Sequence, residues 1–191
     1  MKKLFIIFFC IPIVALSQAE KCGTIATQQQ VDYLTQTRIL RQNWSKPEFS
    51  ISVPVQHHIV RESNGTGGLD PFDLPQIMNT LNTYYSNSNL VFYECAPVNF
   101  IDNSSYYDFN QSQESAIRAV NDVPNVINIY YFNSLTSSSG GSLGGYTYFP
   151  SAGIDIIMMN RFSALNGSTI VHEVGHYFSL YHTHGVTNCS T

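Results

Sequence analysis

His172-Glu173-Val174-Gly175-His176, followed by His182, is the stretch of this chain whose residue types and spacing specify a chemistry. Two histidines at i and i+4 of a helix project from one face, near enough to share a metal ion. The glutamate between them suits a general base that takes a proton from a metal-bound water. His182 adds a constraint. On a continuing helix, the six steps beyond His176 would carry it to another face about 9 Å along the axis. It can join the other two only if the helix breaks between them. Three neutral imidazoles around Zn²⁺ leave a fourth position open to water, which is the catalytic rather than the structural arrangement.

The run His172–Gly185, HEVGHYFSLYHTHG, resembles the zinc-binding stretch of the metzincin metallopeptidases, H-E-x-x-H-x-x-G-x-x-H. Its wording is closest to the pappalysin (cytophagalysin) branch. The resemblance implies that His172, His176 and His182 bind one Zn²⁺ per chain and that Glu173 is the base and proton shuttle of an endopeptidase. Calcium is allowed but is not deducible from the residues. One departure is Ser179, where the family has a glycine that lets the helix end sharply. If that position needs a left-handed backbone, serine costs roughly 1–2 kcal/mol more than glycine, a cost that metal-binding energy can offset.

The remainder of the chain must position these groups. Lys2-Lys3, an apolar run from Leu4 to Leu16 and then small residues read as a secretory signal over 1–17. Cleavage falls before Gln18, with Ala19 as the alternative. The apolar run is too short for a comfortable membrane span, and no later segment is long and apolar enough to be one. Neither Cys10 nor Cys22 has the setting of a lipoprotein cysteine. The expected mature chain is exported and large enough for one domain with a real core. Net charge is −4, becoming −6 without Lys2 and Lys3. With no basic patch, nucleic acid is disfavoured as a partner; the expected partner is a peptide or protein substrate. Asn-x-Ser/Thr triplets stand at Asn43, Asn64, Asn103, Asn110, Asn166 and Asn188, a weak signal without knowledge of the host's glycosylation machinery.

Residues 18–50 form a polar, Gln/Thr-rich lead-in with partial helical character, closed by Lys46-Pro47. Ile51–Arg61 alternates as a strand. A helix follows from Pro71 to Ser88, with Leu74, Ile77, Met78, Leu81 and Tyr85 at three-to-four spacing. Further elements are a strand at Asn89–Ala96, a short helix at Gln113–Asn121, a buried central strand at Asn125–Phe132 and a strand at Gly153–Asn160. The helix bearing the motif starts near Ser168. This order predicts an α/β sandwich, and it is similar to the metzincin upper subdomain, a twisted mixed sheet over an active-site helix.

In that family the edge strand ahead of the last strand pairs with the substrate backbone. Here it would be Leu143–Phe149, with Leu143, Gly144, Gly145, Tyr146 and Thr147 as pairing residues. Main-chain pairing tolerates many substrate sequences. Without the resemblance, the Gly-rich stretch from Ser137 reads as a surface loop ending in a hairpin. His57 and His58 fall on opposite faces of a strand and are expected to be structural. His184 reads as a solvent-facing or supporting residue, and Asp155 as a buried acceptor with no assigned role.

Only nine residues follow His182, whereas metzincins continue into a lower subdomain with a methionine turn. Met158 and Met159 precede the motif and cannot supply it. The mature cysteines, Cys22, Cys95 and Cys189, are odd in number. The expectation is an N-terminal fragment of a longer enzyme, itself weakly active or inactive. Lys21-Cys22-Gly23 is similar to the basic-Cys-Gly switch of metzincin pro-segments, which makes Cys22 a candidate latency ligand at the fourth zinc position. A Cys22–Cys95 disulfide is the alternative that export permits. At the level of function, the rival is a non-catalytic zinc-binding or surface-interaction module.

Overall fold

The described residues of the computed structural model are 21–40 and 48–182, with backbone alone at 34 and 38–40. The signal segment, Lys46-Pro47, Asn43, Asn188, His184 and Cys189 lie outside them. In chain order the elements are β1 (Lys21–Cys22), α1 (Gln28–Leu40), β2 (Ile51–Arg61), α2 (Leu74–Tyr85), β3 (Leu90–Glu94), β4 (Asn99–Asp102), α3 (Ser104–Tyr107), β5 (Asp108–Asn110), α4 (Glu114–Asn121), β6 (Ile127–Phe132), β7 (Ser134–Thr136), β8 (Leu143–Thr147), β9 (Ile156–Asn160), α5 (Arg161–Leu165) and α6 (Ser168–Tyr177). No described helix is long and apolar enough to cross a membrane.

Seven strands form one sheet in the order β1-β8-β9-β6-β2-β3, with β4 following β3 along the far side of β2. All pairs are parallel except β8 with β9. The fold is therefore a mixed α/β sandwich, as the sequence predicts. β6 and β9 are buried at every position, which explains why they read as near-continuous apolar runs. Pro54 sits inside β2 without harm. At that point β2 pairs with β3 only, and β6 joins from Val55 onward, so the missing N–H has no ladder partner to lose.

One face of the sheet carries Val53, Val55, Ile59, Ile129, Tyr131, Ile157 and Met159. Against it pack Leu74, Ile77 and Leu81 of α2 and Ile170 and Val174 of α6. The other face, with Tyr130, Phe132, Ile156, Met158 and Tyr146, is covered by Ile117 of α4 and by Phe109 and Leu135 of the small β5–β7 sheet. The β3 edge is closed by a side chain. Asn82 donates to the Phe92 carbonyl at 3.0 Å and accepts from its amide at 2.7 Å, occupying the central pair of groups an incoming strand would need.

Four Asn-x-Ser/Thr triplets have a structural explanation. Asn64, Asn103, Asn110 and Asn166 each accept the backbone N–H of the residue two positions on, at 3.0 Å in every case. These are Asx turns and caps. Asn166 also takes the Thr169 amide at 3.0 Å and thereby fixes the start of α6.

Two expectations and one alternative need correction. β8 is not a free edge, because Lys21–Cys22 pairs along its outer side; it also ends at Thr147, short of Phe149. Asp155 is exposed rather than buried; it accepts the Tyr177 hydroxyl at 2.8 Å and pins the end of α6. Cys22 and Cys95 are both free thiols. They flank opposite edges of the sheet, five strand spacings or ~24 Å apart, which a disulfide cannot span.

Candidate metal centre

α6 places His172, Glu173 and His176 on one turn, and its end is what brings in His182. The Ser179 amide donates to the His176 carbonyl at 2.9 Å and the Leu180 amide to the Gly175 carbonyl at 2.8 Å. This is a Schellman termination, and it requires a left-handed residue between the two bonds. Ser179 is that residue, at φ 75°. The turn reverses the chain so that the Leu180 carbonyl meets His176 Nδ1 at 2.6 Å. A carbonyl only accepts, so Nδ1 carries the proton and Nε2 keeps its lone pair, the form that binds a metal.

The three Nε2 atoms form a triangle with edges of 2.9 Å (His172–His176), 3.1 Å (His172–His182) and 3.2 Å (His176–His182). Tetrahedral Zn–N bonds of ~2.0–2.1 Å would set these edges near 3.4 Å. The donor set therefore fits a zinc ion after a slight outward movement. Burial, together with the neighbouring imidazoles, pulls His176 down to about 4, so it is neutral at physiological pH. His172 is exposed while His176 is buried; the cluster opens to solvent on one side.

A fourth donor completes the group. The Cys22 sulphur lies within 4.8 Å of the three imidazole nitrogens. Burial and the Glu173 charge push its thiol up to about 12, so it is protonated in the metal-free chain; a bound divalent cation reverses that balance and favours the thiolate.

Glu173 is fully buried and pushed up to about 7 by that burial, against the opposing pull of its hydrogen bonds from Cys22 and Thr24. Its Oε2 accepts the Thr24 hydroxyl at 2.9 Å, while Oε1 has no partner. The carboxylate lies against β8 at Gly145. A Cβ there would stand 3.0 Å from Glu173 Cγ and 2.8 Å from Met159 Sδ. Gly145 is thus a steric requirement for seating Glu173, a role that sequence reading assigned to pairing alone. Leu143, Gly144, Tyr146 and Thr147 are buried beside it.

His57 and His58 stay outside the centre. His57 Nδ1 meets the Tyr131 hydroxyl at 3.0 Å. His58 sits between Asn128, at 2.9 Å, and Asn99, at 3.0 Å, and stacks on Tyr130. Thr24 is the residue that the sequence did not reveal; a lone threonine in a polar lead-in gives no pattern.

No protein-family profile matches the sequence, and no curated protein matches it. Solved structures do. A Tannerella forsythia promirolysin variant aligns with 84% of this chain and 69% of its own length, at 19% identity and a TM-score of 0.56. Metalloproteinase-II from Bacteroides fragilis aligns with 73% of this chain and 46% of its own, at 13% identity and a TM-score of 0.43. The chain thus spans about half the length of the second. The likeness to promirolysin is one of fold.

Proposed function

We propose that this chain belongs to an exported zinc-dependent endopeptidase of the pappalysin-like metzincin kind, held latent by its own lead-in. Residues 1–17 would direct export, 18–50 would act as a pro-segment, and 51–191 would belong to the catalytic domain. The observation that carries the reading is the Nε2 triangle of His172, His176 and His182, with edges of 2.9–3.2 Å, beside a buried carboxylate. The metalloprotease-like fold supports it.

His172, His176 and His182 would hold the ion, with the Leu180 carbonyl keeping His176 in the right tautomer. Zinc held there would supply Lewis acidity toward a scissile carbonyl and a water. Glu173 takes the water's proton and delivers it to the leaving amine. Leu143, Gly144, Gly145, Tyr146 and Thr147 offer main-chain groups to an extended substrate. In the closed chain Lys21–Thr24 fills that place, and Cys22 would take the fourth ligand position until the lead-in leaves.

The test is metal content paired with hydrolysis. The purified chain should hold one Zn²⁺, and His176→Ala should lose it. The natural gene product, freed of its lead-in, should cleave casein and stop on zinc chelation. Glu173→Gln should bind zinc normally but lose roughly 10²–10⁴-fold in rate. Stoichiometric zinc with no hydrolysis in any form would favour a binding module instead. No zinc after refolding with excess metal would end the reading.

A further inference from the structure

Three consecutive residues of the lead-in have separate seats in the cleft, and only the first uses the thiol. Cys22 faces the imidazole cluster. Gly23 donates its amide to the Gly145 carbonyl at 2.8 Å. A Cβ on Gly23 would lie 2.8 Å from Leu143 Cδ1 and 3.0 Å from Tyr146 Cβ, so that seat favours glycine. The Thr24 hydroxyl accepts the Thr147 amide at 2.9 Å and donates to Glu173 Oε2 at 2.9 Å; the Thr147 carbonyl stands further off, at 3.3 Å. Thr24 is 6% exposed, so these partners are desolvated. The third seat needs a group that both accepts and donates, between a strand N–H and a carboxylate. Among side chains of that size, a hydroxyl meets the need.

We infer that the cleft is a three-seat receptor for a peptide running parallel to β8, taking thiol, glycine and β-hydroxyl in that order, and that the hydroxyl seat holds the lead-in without help from the thiol. The inference deepens the proposed latency and rests on that reading of the cleft. Thr24 ties up the base and a substrate-pairing amide together, so a chain that has lost its thiol is still closed. A peptide with the same three groups, supplied in trans, is the class of ligand the emptied cleft would take.

Amide hydrogen exchange on the full metal-free chain at pH 8 tests this, with the Gly23 amide reporting on docking of the lead-in. Thr24→Val keeps the shape and removes the hydroxyl, leaving the Thr147 amide and Glu173 without that partner. Its Gly23 protection should fall by roughly 10- to 100-fold, the equivalent of a hydrogen bond to a charged group. Thr24→Ser should keep native protection, and so should Cys22→Ala. Native protection in Thr24→Val would overturn the inference. So would equal loss in Thr24→Ser, which would assign the hold to methyl packing, or loss in Cys22→Ala, which would make the thiol the lock. Because no metal is present, the result is separate from zinc binding. A chain that never binds zinc but protects Gly23 through Thr24 would sink the proposed function and leave the seat intact.

Discussion

Ser179→Gly should stabilise the chain, and the gain can be worked from the end of α6. Ser179 is held at φ 75° between the two bonds that terminate the helix, at 2.9 and 2.8 Å. An L-residue in the left-handed region costs roughly 1–2 kcal/mol, which glycine does not incur. Glycine in turn gives the unfolded chain extra freedom, a loss of ~0.4–1 kcal/mol. The balance is a gain of about 1 kcal/mol. For a chain of 191 residues this moves the unfolding midpoint by ~2–4 °C. The assay is urea unfolding of the metal-free chain, where the midpoint should rise with no change in slope. Ser179→Ala keeps the strained backbone and serves as the control, expected within about 0.5 kcal/mol of native. A neutral or destabilising Ser179→Gly would refute the argument that backbone strain is stored where the helix must break to deliver His182.

Two further perturbations probe the neighbourhood. Gly145→Ala forces a methyl to 3.0 Å from Glu173 Cγ and 2.8 Å from Met159 Sδ; overpacking of this kind costs ~1–3 kcal/mol. It should lower stability by that amount and depress hydrolysis while zinc content stays at one, and unchanged activity would mean that Glu173 is not confined by β8. The second concerns acid. Burial, and then the charge of His58, pull His57 from 6.5 to about 4. The folded chain therefore binds fewer protons than the unfolded chain in between, and stability present above pH 6.5 is lost as pH falls toward 4. The loss at pH 4 is about 3 kcal/mol from this group. Urea unfolding of the metal-free chain at pH 8 and pH 4 should show that loss reduced in His57→Gln. Equal acid sensitivity in both proteins would contradict it.

Much of the site was legible because a few residues fix it. The i, i+4 histidines with an intervening glutamate allow one geometry, and the distance to His182 forces a helix break that the left-handed Ser179 realises. β2 was readable at both ends, Ile51 and Arg61, because Ile51, Val53 and Val55 alternate with polar or turn residues and the β-branched Ile59-Val60 extends the run. Short elements were not. β4, β5 and β7 are three or four residues long, too brief for a period to register. The lead-in was the larger miss. None of the described side chains of α1 is buried, and β1 is two residues, so the sequence pointed Cys22 at the metal site without announcing that Lys21–Cys22 would pair with β8. Asp155 alternates with apolar neighbours, yet it precedes β9 and points to solvent, since alternation cannot say where a strand begins. The triplets at Asn64, Asn103, Asn110 and Asn166 looked like modification signals, and the Asx turns they form use the same Asn-x-Ser/Thr chemistry.

The central claim is a metal centre of three imidazoles closed by the chain's own thiol, and X-ray absorption at the zinc edge on the zinc-loaded full chain tests it most directly. The account predicts one zinc per chain with three nitrogens at ~2.0–2.1 Å and one sulphur at ~2.3 Å. In Cys22→Ala the sulphur should be replaced by a light atom while all three nitrogens remain. A shell without sulphur in the native chain would remove Cys22 from the centre, and a shell without three imidazole nitrogens would contradict the account as a whole.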